Sequence, residues 1–500
     1  MVRSLVVGTL LAGLLLPGVG QAEGKVPSHA TCGTLDALEL HPGRVLRRPP
    51  AGAARRACED NPRPSYDDEK TYVDSEFGFT IHYTTDTSDS AHVTTDQVDK
   101  TAEVMRHVMD MENLDLKYKE APSDEADSDL YCETANGGAA NGGDGGYDIY
   151  FVDDDGVYGY AQPMTLVDGD HQGSSFLALS TWIFDYEGAL EVTVAHEFFH
   201  AIQFGYDVYE NSFWMENTAV WMEEQVYDSV NDYLNYVPDA FSNPDVPLDS
   251  DDSIMYAYGI WPLYMSQKTS QGAIQDIWEA CEAGAEENAF EAQAEVMDEA
   301  YEGGWEQLVL DFRGAMFNRD DFEEGGSYPA VDIYETYTSF PATDSLEVDH
   351  TGALFLKFKT SVQGQLNLCF TGNKAETRAK VYTIDGSRNI EEVPLEPADN
   401  AGRVILTTFG GDIKEVVLVG TYAYKSGSDV FSFSATVGDA VCEPGEVGQP
   451  SNEDDSPTPY YICGGCVEVT PVEKHENNAA TAGLVSLLFT AAVIFRRRRV

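Results

Sequence analysis

The sequence EVTVAHEFFHAIQF at residues 191–204 has the periodicity of a buried α-helix. Its apolar residues recur at the spacing of one helical face: Val192, Ala195, Phe199 and Ile202. His196, His200 and Gln203 fall on the neighbouring face, where residues four apart stack one turn above each other. The two imidazoles are therefore predicted to converge on one point beside the helix.

The spacing of His196 and His200 is that of H-E-x-x-H, in which two imidazoles on one helical face hold a metal ion. Glu197 lies one position round the helix. From there it reaches a water bound to the ion without being a ligand itself. We therefore predict a zinc site with Glu197 as the general base. The alternative is a helix whose histidines face solvent or a polar core.

A second helix is predicted for WMENTAVWME at residues 214–223. Glu216 and Glu223 lie on one face of it, with small or modest residues between them that allow close helix packing. Catalytic zinc takes three protein ligands and keeps one open position. Glu216 is the predicted third ligand, and Glu224 and Asp207 are the fallback ligands. Glu223 is expected either to hydrogen-bond an imidazole or to be a solvated helix charge.

H-E-x-x-H followed by W-x-E-x-x-A-x-x-x-E resembles the gluzincin metallopeptidases, the group of thermolysin and the zinc aminopeptidases. It is more similar to exported bacterial zinc proteases of the immune inhibitor A type. The resemblance covers about residues 70–320, and its motifs lie in 196–224. It implies amide hydrolysis of a protein or peptide substrate, with Glu197 as general base. The implied zinc ligands are His196, His200 and Glu216.

Two features depart from the family pattern. The loop between His200 and Glu216 is shorter than in thermolysin or the aminopeptidases, and Met215-Glu216-Asn217 replaces the usual Asn-Glu-Gly-type context. These departures affect the subfamily assignment.

The resemblance also implies a hydrogen-bond donor for the oxyanion and a strand edge for the substrate. Tyr258 is the first candidate donor, Tyr256 the second and His171 the third, with core packing as the alternative for the tyrosines. An edge strand before the motif helix would pair with extended substrate, and residues 177–182 or 158–161 are the candidates.

Residues 70–335 are predicted to form a zincin-like catalytic domain of the α+β class. A helix begins at Thr95, and the part from 254 to 320 is a helical C-terminal half. Strands are indicated at residues 77–84, 147–152 and 175–183.

Residues 340–440 are predicted to form an accessory all-β sandwich, because short alternating runs are separated there by Gly, Asn and Asp. No motif in this domain indicates which ligand it would bind. The polar residues 443–478 that follow indicate a linker. The runs are 353–360, 365–370, 380–384, 404–409, 415–421 and 430–437.

Both ends of the chain have the composition of targeting segments. Residues 1–22 combine Arg3, an apolar run and small residues at a cleavage position, which predicts a signal peptide. Residues 479–500 are apolar or small up to Phe495 and then arginine-rich. This tail resembles bacterial C-terminal sorting tails of the myxobacterial type, and a membrane anchor is the alternative. We expect an exported bacterial protein that is extracellular or attached to the cell surface.

Residues 23–69 are rich in arginine and proline and lack hydrophobic periodicity. They are predicted to be a propeptide or linker that docks on the acidic body and is released by cleavage at arginine pairs. The alternative is an ordered N-terminal arm closed by a disulfide between Cys32 and Cys58.

The cysteines of an exported chain indicate disulfides. Cys132 and Cys281 have no evident partner. Two pairings are expected: Cys32 with Cys58, and Cys369 with Cys442.

The charge balance is strongly acidic, since 86 acidic and 30 basic residues give a net charge of −56. Nucleic acid and anionic membrane surfaces are poor partners for such a field. The acidic clusters at 153–155 and 249–252 could bind calcium, although neither has the full loop of an EF-hand. No feature of the sequence predicts the oligomeric state.

Two further functions compete with a peptidase. One is a surface-anchored binding or adhesion protein that keeps the fold without activity. The other is a zinc hydrolase that acts on a non-peptide bond. Intact His196, Glu197, His200 and Glu216 argue against the first, because a silent relative has no chemical need for the base.

Overall fold

The computed structural model describes residues 32–34, 46–47, 58–168, 171–283, 289–398, 400–439 and 442. The predicted signal peptide, the linker at 443–478 and the tail at 479–500 lie outside these ranges, and those predictions stay untested. Among the described residues, no helix is both long and apolar enough to span a bilayer. Helices and sheets are both present, so the predicted α+β class is confirmed.

The first part of the chain forms a six-stranded sheet with the order β1-β5-β6-β4-β3-β2. Strands β3, β4 and β6 run parallel, β5 is antiparallel to β6, and β2 is antiparallel to β3. The short β1 pairs with the outer edge of β5. The strands are β1 (Leu46–Arg47), β2 (Lys70–Asp74), β3 (Phe79–Tyr83), β4 (Tyr147–Val152), β5 (Gly159–Asp168) and β6 (Gln172–Ser180).

Helices pack on this sheet and then form the predicted helical half. The first of them begins at a capping box, in which Thr94 and Gln97 each accept a hydrogen bond from the other's backbone N–H. The helices are α1 (Thr95–Met109), α2 (Ala189–Gln203), α3 (Ser212–Tyr227), α4 (Val237–Ser242), α5 (Ile254–Ala257), α6 (Ile260–Lys268), α7 (Gln271–Ala283), α8 (Ala289–Ala300) and α9 (Gly304–Phe317).

Helices α2 and α3 form the centre of this half. Every residue of α2 except Glu191 is buried, and so are nearly all residues of α3. A helix that is buried all round lies inside a core rather than on its surface. The polar side chains of both helices therefore face each other in a site largely shielded from solvent.

The predicted β domain has its strands where the alternating runs are. One group has the order β12-β11-β15-β9-β7 and the other β8-β16-β10-β14-β13, and a single β14–β15 pair joins them around a shared apolar core. The strands are β7 (Glu335–Tyr337), β8 (Ala342–Asp349), β9 (Ala353–Lys359), β10 (Gly364–Gly372), β11 (Thr377–Asp385), β12 (Ile390–Val393), β13 (Glu396–Ala398), β14 (Ala401–Phe409), β15 (Ile413–Tyr422) and β16 (Ser428–Val437).

The β domain is packed firmly against the helical half. Phe355, Val417 and Val419 belong to the same apolar core as the helices. Arg313 of α9 is buried and donates from Nε to the backbone oxygen of Thr351, at 2.6 Å. The domain therefore supports the helices that position α3.

The disulfides correct one predicted pairing and confirm the other. Cys369 pairs with Cys442 as expected. The predicted Cys32–Cys58 pair is wrong, because Cys58 pairs with Cys132 and Cys32 is a free, buried thiol. Both disulfides are of the kind that persists in an oxidising compartment.

The end of the predicted propeptide is part of the folded domain. Arg63 is buried, and its guanidinium contacts Asp124 at 2.7 Å, Asp127 at 2.8 Å and Asp148 at 3.3 Å. Removing it would take the guanidinium charge from these buried carboxyl groups and leave His82, 3.0 Å from Asp148, as a counter-charge. This contact and the Cys58 disulfide favour the ordered-arm alternative for residues 58–69.

Candidate metal centre

Four potential ligands from three parts of the chain meet where α2 faces α3. One ligand atom from each lies within 4.8 Å of the other three, and all four residues are buried. The structure thus brings together the three predicted ligands and adds a cysteine. The four residues are Cys32, His196, His200 and Glu216.

A carboxylate from α3 sets the tautomer of His196. Nδ1 of this ring lies 2.6 Å from Oε1 of Glu223, so it donates its hydrogen there. Nε2 is then free to act as a ligand, and it lies 3.1 Å from Oε2 of Glu216. Glu223 therefore has the imidazole-orienting role that the sequence left open against a solvated charge.

A side-chain amide sets the tautomer of His200. Its Nδ1 lies 2.7 Å from Oε1 of Gln203, whose own nitrogen donates to the oxygen of Met215 and to Oγ1 of Thr218, at 2.9 and 3.0 Å. These two bonds fix the amide orientation, so His200 donates from Nδ1. Its Nε2 faces Sγ of Cys32 and Oε1 of Glu216, each at 3.4 Å.

The electrostatics of the cluster favour a cation. Burial alone would lower the pKa of His200, yet Glu216 and Cys32 raise it to about 10. Burial would also lower the pKa of His196, but Cys32, Glu216 and Glu223 together raise it. Burial would raise the pKa of Glu216, but the two imidazoles hold it at about 2. The carboxylate of Glu216 beside the ring nitrogens would stabilise a metal ion by the same attraction, whereas burial and the carboxylates of Glu197 and Glu216 raise the pKa of the Cys32 thiol.

The donor set fits zinc. Thiolate sulfur, imidazole nitrogen and carboxylate oxygen are the ligands that Zn²⁺ takes in proteins. Oε1 of Glu216 is buried without a well-formed hydrogen bond and faces Nε2 of His200 at 3.4 Å, so a cation held by both atoms would satisfy them. Because each Nδ1 is hydrogen-bonded to Glu223 or Gln203, loss of the second ring proton would leave both Nε2 atoms as lone-pair donors. The arrangement could therefore hold a metal ion.

Glu197 lies beside the cluster without belonging to it. Its Oε2 accepts a hydrogen bond of 2.7 Å from Oγ1 of Thr34, and its side chain is buried. It lines the same small cavity as His196. This is the position expected of a base that acts on a water at the metal. The cavity is also lined by Tyr158, Thr193, Asp232, Tyr236 and Tyr256.

The structure does not bring the predicted oxyanion donor to the cluster. The hydroxyl of Tyr258 donates to the oxygen of Val246 at 2.9 Å, and the guanidinium of Arg313 lies over its ring at 5.2 Å. This is the core-packing alternative. Tyr256, the second candidate, lines the cavity instead. Tyr256 lies within the short helix α5, whereas Tyr258 is the residue that ends it. The two side chains therefore leave the backbone in different directions.

The fallback candidates lie away from the cluster. Asp207 pairs with His171, whose Nδ1 is 3.3 Å away, and Glu224 is not among the clustered ligands. Within the described ranges, neither acidic run gathers three ligand atoms at one point, so calcium binding stays a prediction.

Sequence reasoning missed Cys32 and Thr34. Cys32 lies 168 positions from His200, so no local spacing links the two. The number of cysteines gave a weak signal, because only one of Cys32, Cys132 and Cys281 can pair with Cys58; that one is Cys132, and Cys32 and Cys281 are free.

Comparison with known proteins adds little. No protein-family model and no curated protein matches the chain. Among solved structures, the pre-peptidase C-terminal domain of a collagenase from Bacillus anthracis is 9% identical, with 21% of this chain and 98% of that one covered and a TM-score of 0.18. The g-type lysozyme inhibitor of Aeromonas hydrophila is 9% identical over 20% and 95%, with a TM-score of 0.15. Scores this low support no argument.

Replacing Glu223 by glutamine is expected to weaken zinc affinity by about tenfold or more, because an uncharged partner makes the imidazole of His196 a poorer ligand. Competition with a chromogenic zinc chelator measures this. The matched control is Glu224→Gln, since Glu224 is the neighbouring buried carboxylate and lies outside the cluster. Equal affinities for the two variants would contradict the orienting role.

Proposed function

We propose that this protein is a secreted or surface-attached zinc-dependent endopeptidase. One observation carries the proposal: His196, His200 and Glu216 converge on one point, and Glu197 lies beside it. This is the geometry that hydrolysis of an acyl bond needs, with an ion site, a base and an enclosed cavity. The sheet, the motif helix α2 and the glutamate-bearing α3 are consistent with the gluzincin type that the motifs resemble.

The residues of the site divide the chemistry among them. His196, His200 and Glu216 would hold zinc, which when bound lowers the pKa of a coordinated water and polarises a carbonyl oxygen. Glu197 takes the proton of the attacking water and delivers it to the leaving amine. We assign the oxyanion donor to Tyr256 instead of Tyr258, because Tyr256 lines the cavity.

The edge of β5 supports a peptide as the substrate. Backbone groups at its start already bind a polypeptide segment: the oxygen of Gly159 accepts from the N–H of Gly33, and the N–H of Ala161 donates to Thr34, each at 2.8 Å. An extended substrate can use the same groups by adding to the sheet edge. Of the two strands expected to bind substrate, the one at residues 158–161 has this edge.

Metal analysis and a substrate screen test the proposal together. The full chain is expected to bind about one zinc ion, and His200→Ala and Glu216→Ala to lose most of it, since each removes one of only a few ligands. Gln225→Ala, on the same helix as Glu216, is the control. Full occupancy in Glu216→Ala would contradict the ligand assignment. Metal binding with hydrolysis of esters but not of peptides would favour the non-peptide hydrolase. Metal binding without any hydrolysis, in the full chain and in Cys32→Ala alike, would favour the silent adhesion protein.

A further inference from the structure

We propose that Cys32-Gly33-Thr34 is a built-in inhibitor of the metal centre, and that the Cys32 thiolate occupies the fourth coordination position. The inference rests on the proposed zinc peptidase function and adds its regulation. Each of the three residues contacts a different part of the site. Cys32 lies in the ligand cluster, Gly33 lies on the substrate edge of β5, and Thr34 bonds to the base Glu197.

Cys32 supplies the blocking ligand. Its sulfur lies in the cluster, 3.4 Å from Nε2 of His200, and its side chain is buried. Catalytic zinc keeps one position open for water or substrate, whereas four protein ligands make a closed site. With Cys32 the set has four members, and without it the set is the open triad of His196, His200 and Glu216.

Thr34 restrains the base. Its hydroxyl donates to Oε2 of Glu197 at 2.7 Å and accepts from the N–H of Ala161 at 2.8 Å. One side chain thus engages both the carboxylate that must accept a proton and the edge amide that a substrate would use. Productive chemistry requires both groups to be released.

Gly33 allows this close approach. A Cβ on it would lie 3.1 Å from Cγ1 of Val157 and 3.2 Å from the oxygen of Gly159, so its neighbours would have to shift by a few tenths of an ångström, and a branched side chain would crowd the segment against β5. The glycine N–H bonds to that same oxygen at 2.8 Å. The segment therefore lies against the strand edge as a substrate backbone would.

The disulfide arrangement allows the inhibitor to leave. Because Cys58 is bonded to Cys132, everything from residue 58 onward stays attached to the domain. One backbone cut between Thr34 and Cys58 would leave Cys32 held by non-covalent contacts and metal coordination alone. The sequence between them has an arginine pair at 55–56 that suits a protease that cleaves after arginine, whereas Arg47 of the pair at 47–48 belongs to strand β1.

Cobalt substitution tests the ligand directly, without reference to activity. The full chain loaded with Co²⁺ is expected to show a thiolate-to-cobalt charge-transfer absorption. Cys32→Ala should lose that absorption and keep the weaker d–d bands. Cys281→Ala should keep both, because Cys281 is a buried free thiol outside the cluster. Cobalt bound without a Cys32-dependent charge-transfer band overturns the inference.

Hydrolysis of a quenched peptide library tests the inhibition. Cys32→Ala is expected to be faster than wild type by about tenfold or more, because the thiolate keeps most molecules from the competent state. Gly33→Val, which retains the thiol, should activate by displacing the segment, and Cys281→Ala should not. If metal-loaded wild type hydrolyses the library as fast as Cys32→Ala and Gly33→Val do, the inhibition is contradicted but the proposed function is not. Failure of every form to bind zinc or cobalt overturns the proposed function as well.

Discussion

Glu197→Gln is expected to lower the rate of peptide hydrolysis by about a hundred- to ten-thousand-fold, the usual contribution of a general base. Glutamine has nearly the same shape but cannot accept the proton of the attacking water. Its amide can still bond to Thr34, so the packing of the cavity should survive. Zinc content should be unchanged, because Glu197 is not among the clustered ligands.

The assay for this prediction is peptide cleavage by Cys32→Ala and by Cys32→Ala/Glu197→Gln, with metal analysis of both. The wild-type background is measured in parallel. Glu191→Gln is the matched control, because Glu191 lies on the same helix, is only partly buried and pairs with Lys100 at 2.9 Å. A double variant that keeps both zinc and most of its activity would remove Glu197 from the mechanism.

The local parts of this fold could be predicted from the sequence because their causes are local. The periodicity of residues 191–204 predicts α2, and the strand indicated at 147–152 is β4 with the same bounds. The face shared by His196 and His200 follows from helical geometry alone. The hydrogen bond of Glu223 to His196 is one of the two roles predicted for it, and it forms because Glu223 lies two turns from Glu216 on one face of α3.

Contacts between distant segments could not be predicted in this way. Cys32 reaches His200 only because β5 provides an edge on which Gly33 can lie, and nothing in either local sequence encodes that pairing. The exchange of Tyr258 for Tyr256 has a related cause. The two hydroxyls are two residues apart, and only the turn at the end of α5 decides which of them faces the cavity.

The N-terminal arm contains the structural feature with the largest expected effect on stability. Arg63→Met is expected to lower the free energy of unfolding by about 3–5 kcal/mol, because it removes the guanidinium from three buried carboxyl groups and leaves His82 as the counter-charge of Asp148. Methionine keeps much of the apolar stem while removing the guanidinium. Burial, with the charge of Asp148, already raises the pKa of Asp124 to about 9 even with Arg63 in place.

Denaturant unfolding followed by tryptophan fluorescence measures this, since all six tryptophans lie between residues 182 and 305, in the same domain as Arg63. Lys100→Met is the control: its ion pair with Glu191 is about half exposed on the lysine side, and its loss should cost about 1 kcal/mol or less. The loss of unfolding free energy caused by Arg63→Met should become smaller as the pH falls, because protonating the carboxyl groups removes the buried negative charge. If Arg63→Met loses no more unfolding free energy than Lys100→Met does, residues 58–69 are not an integral part of the domain.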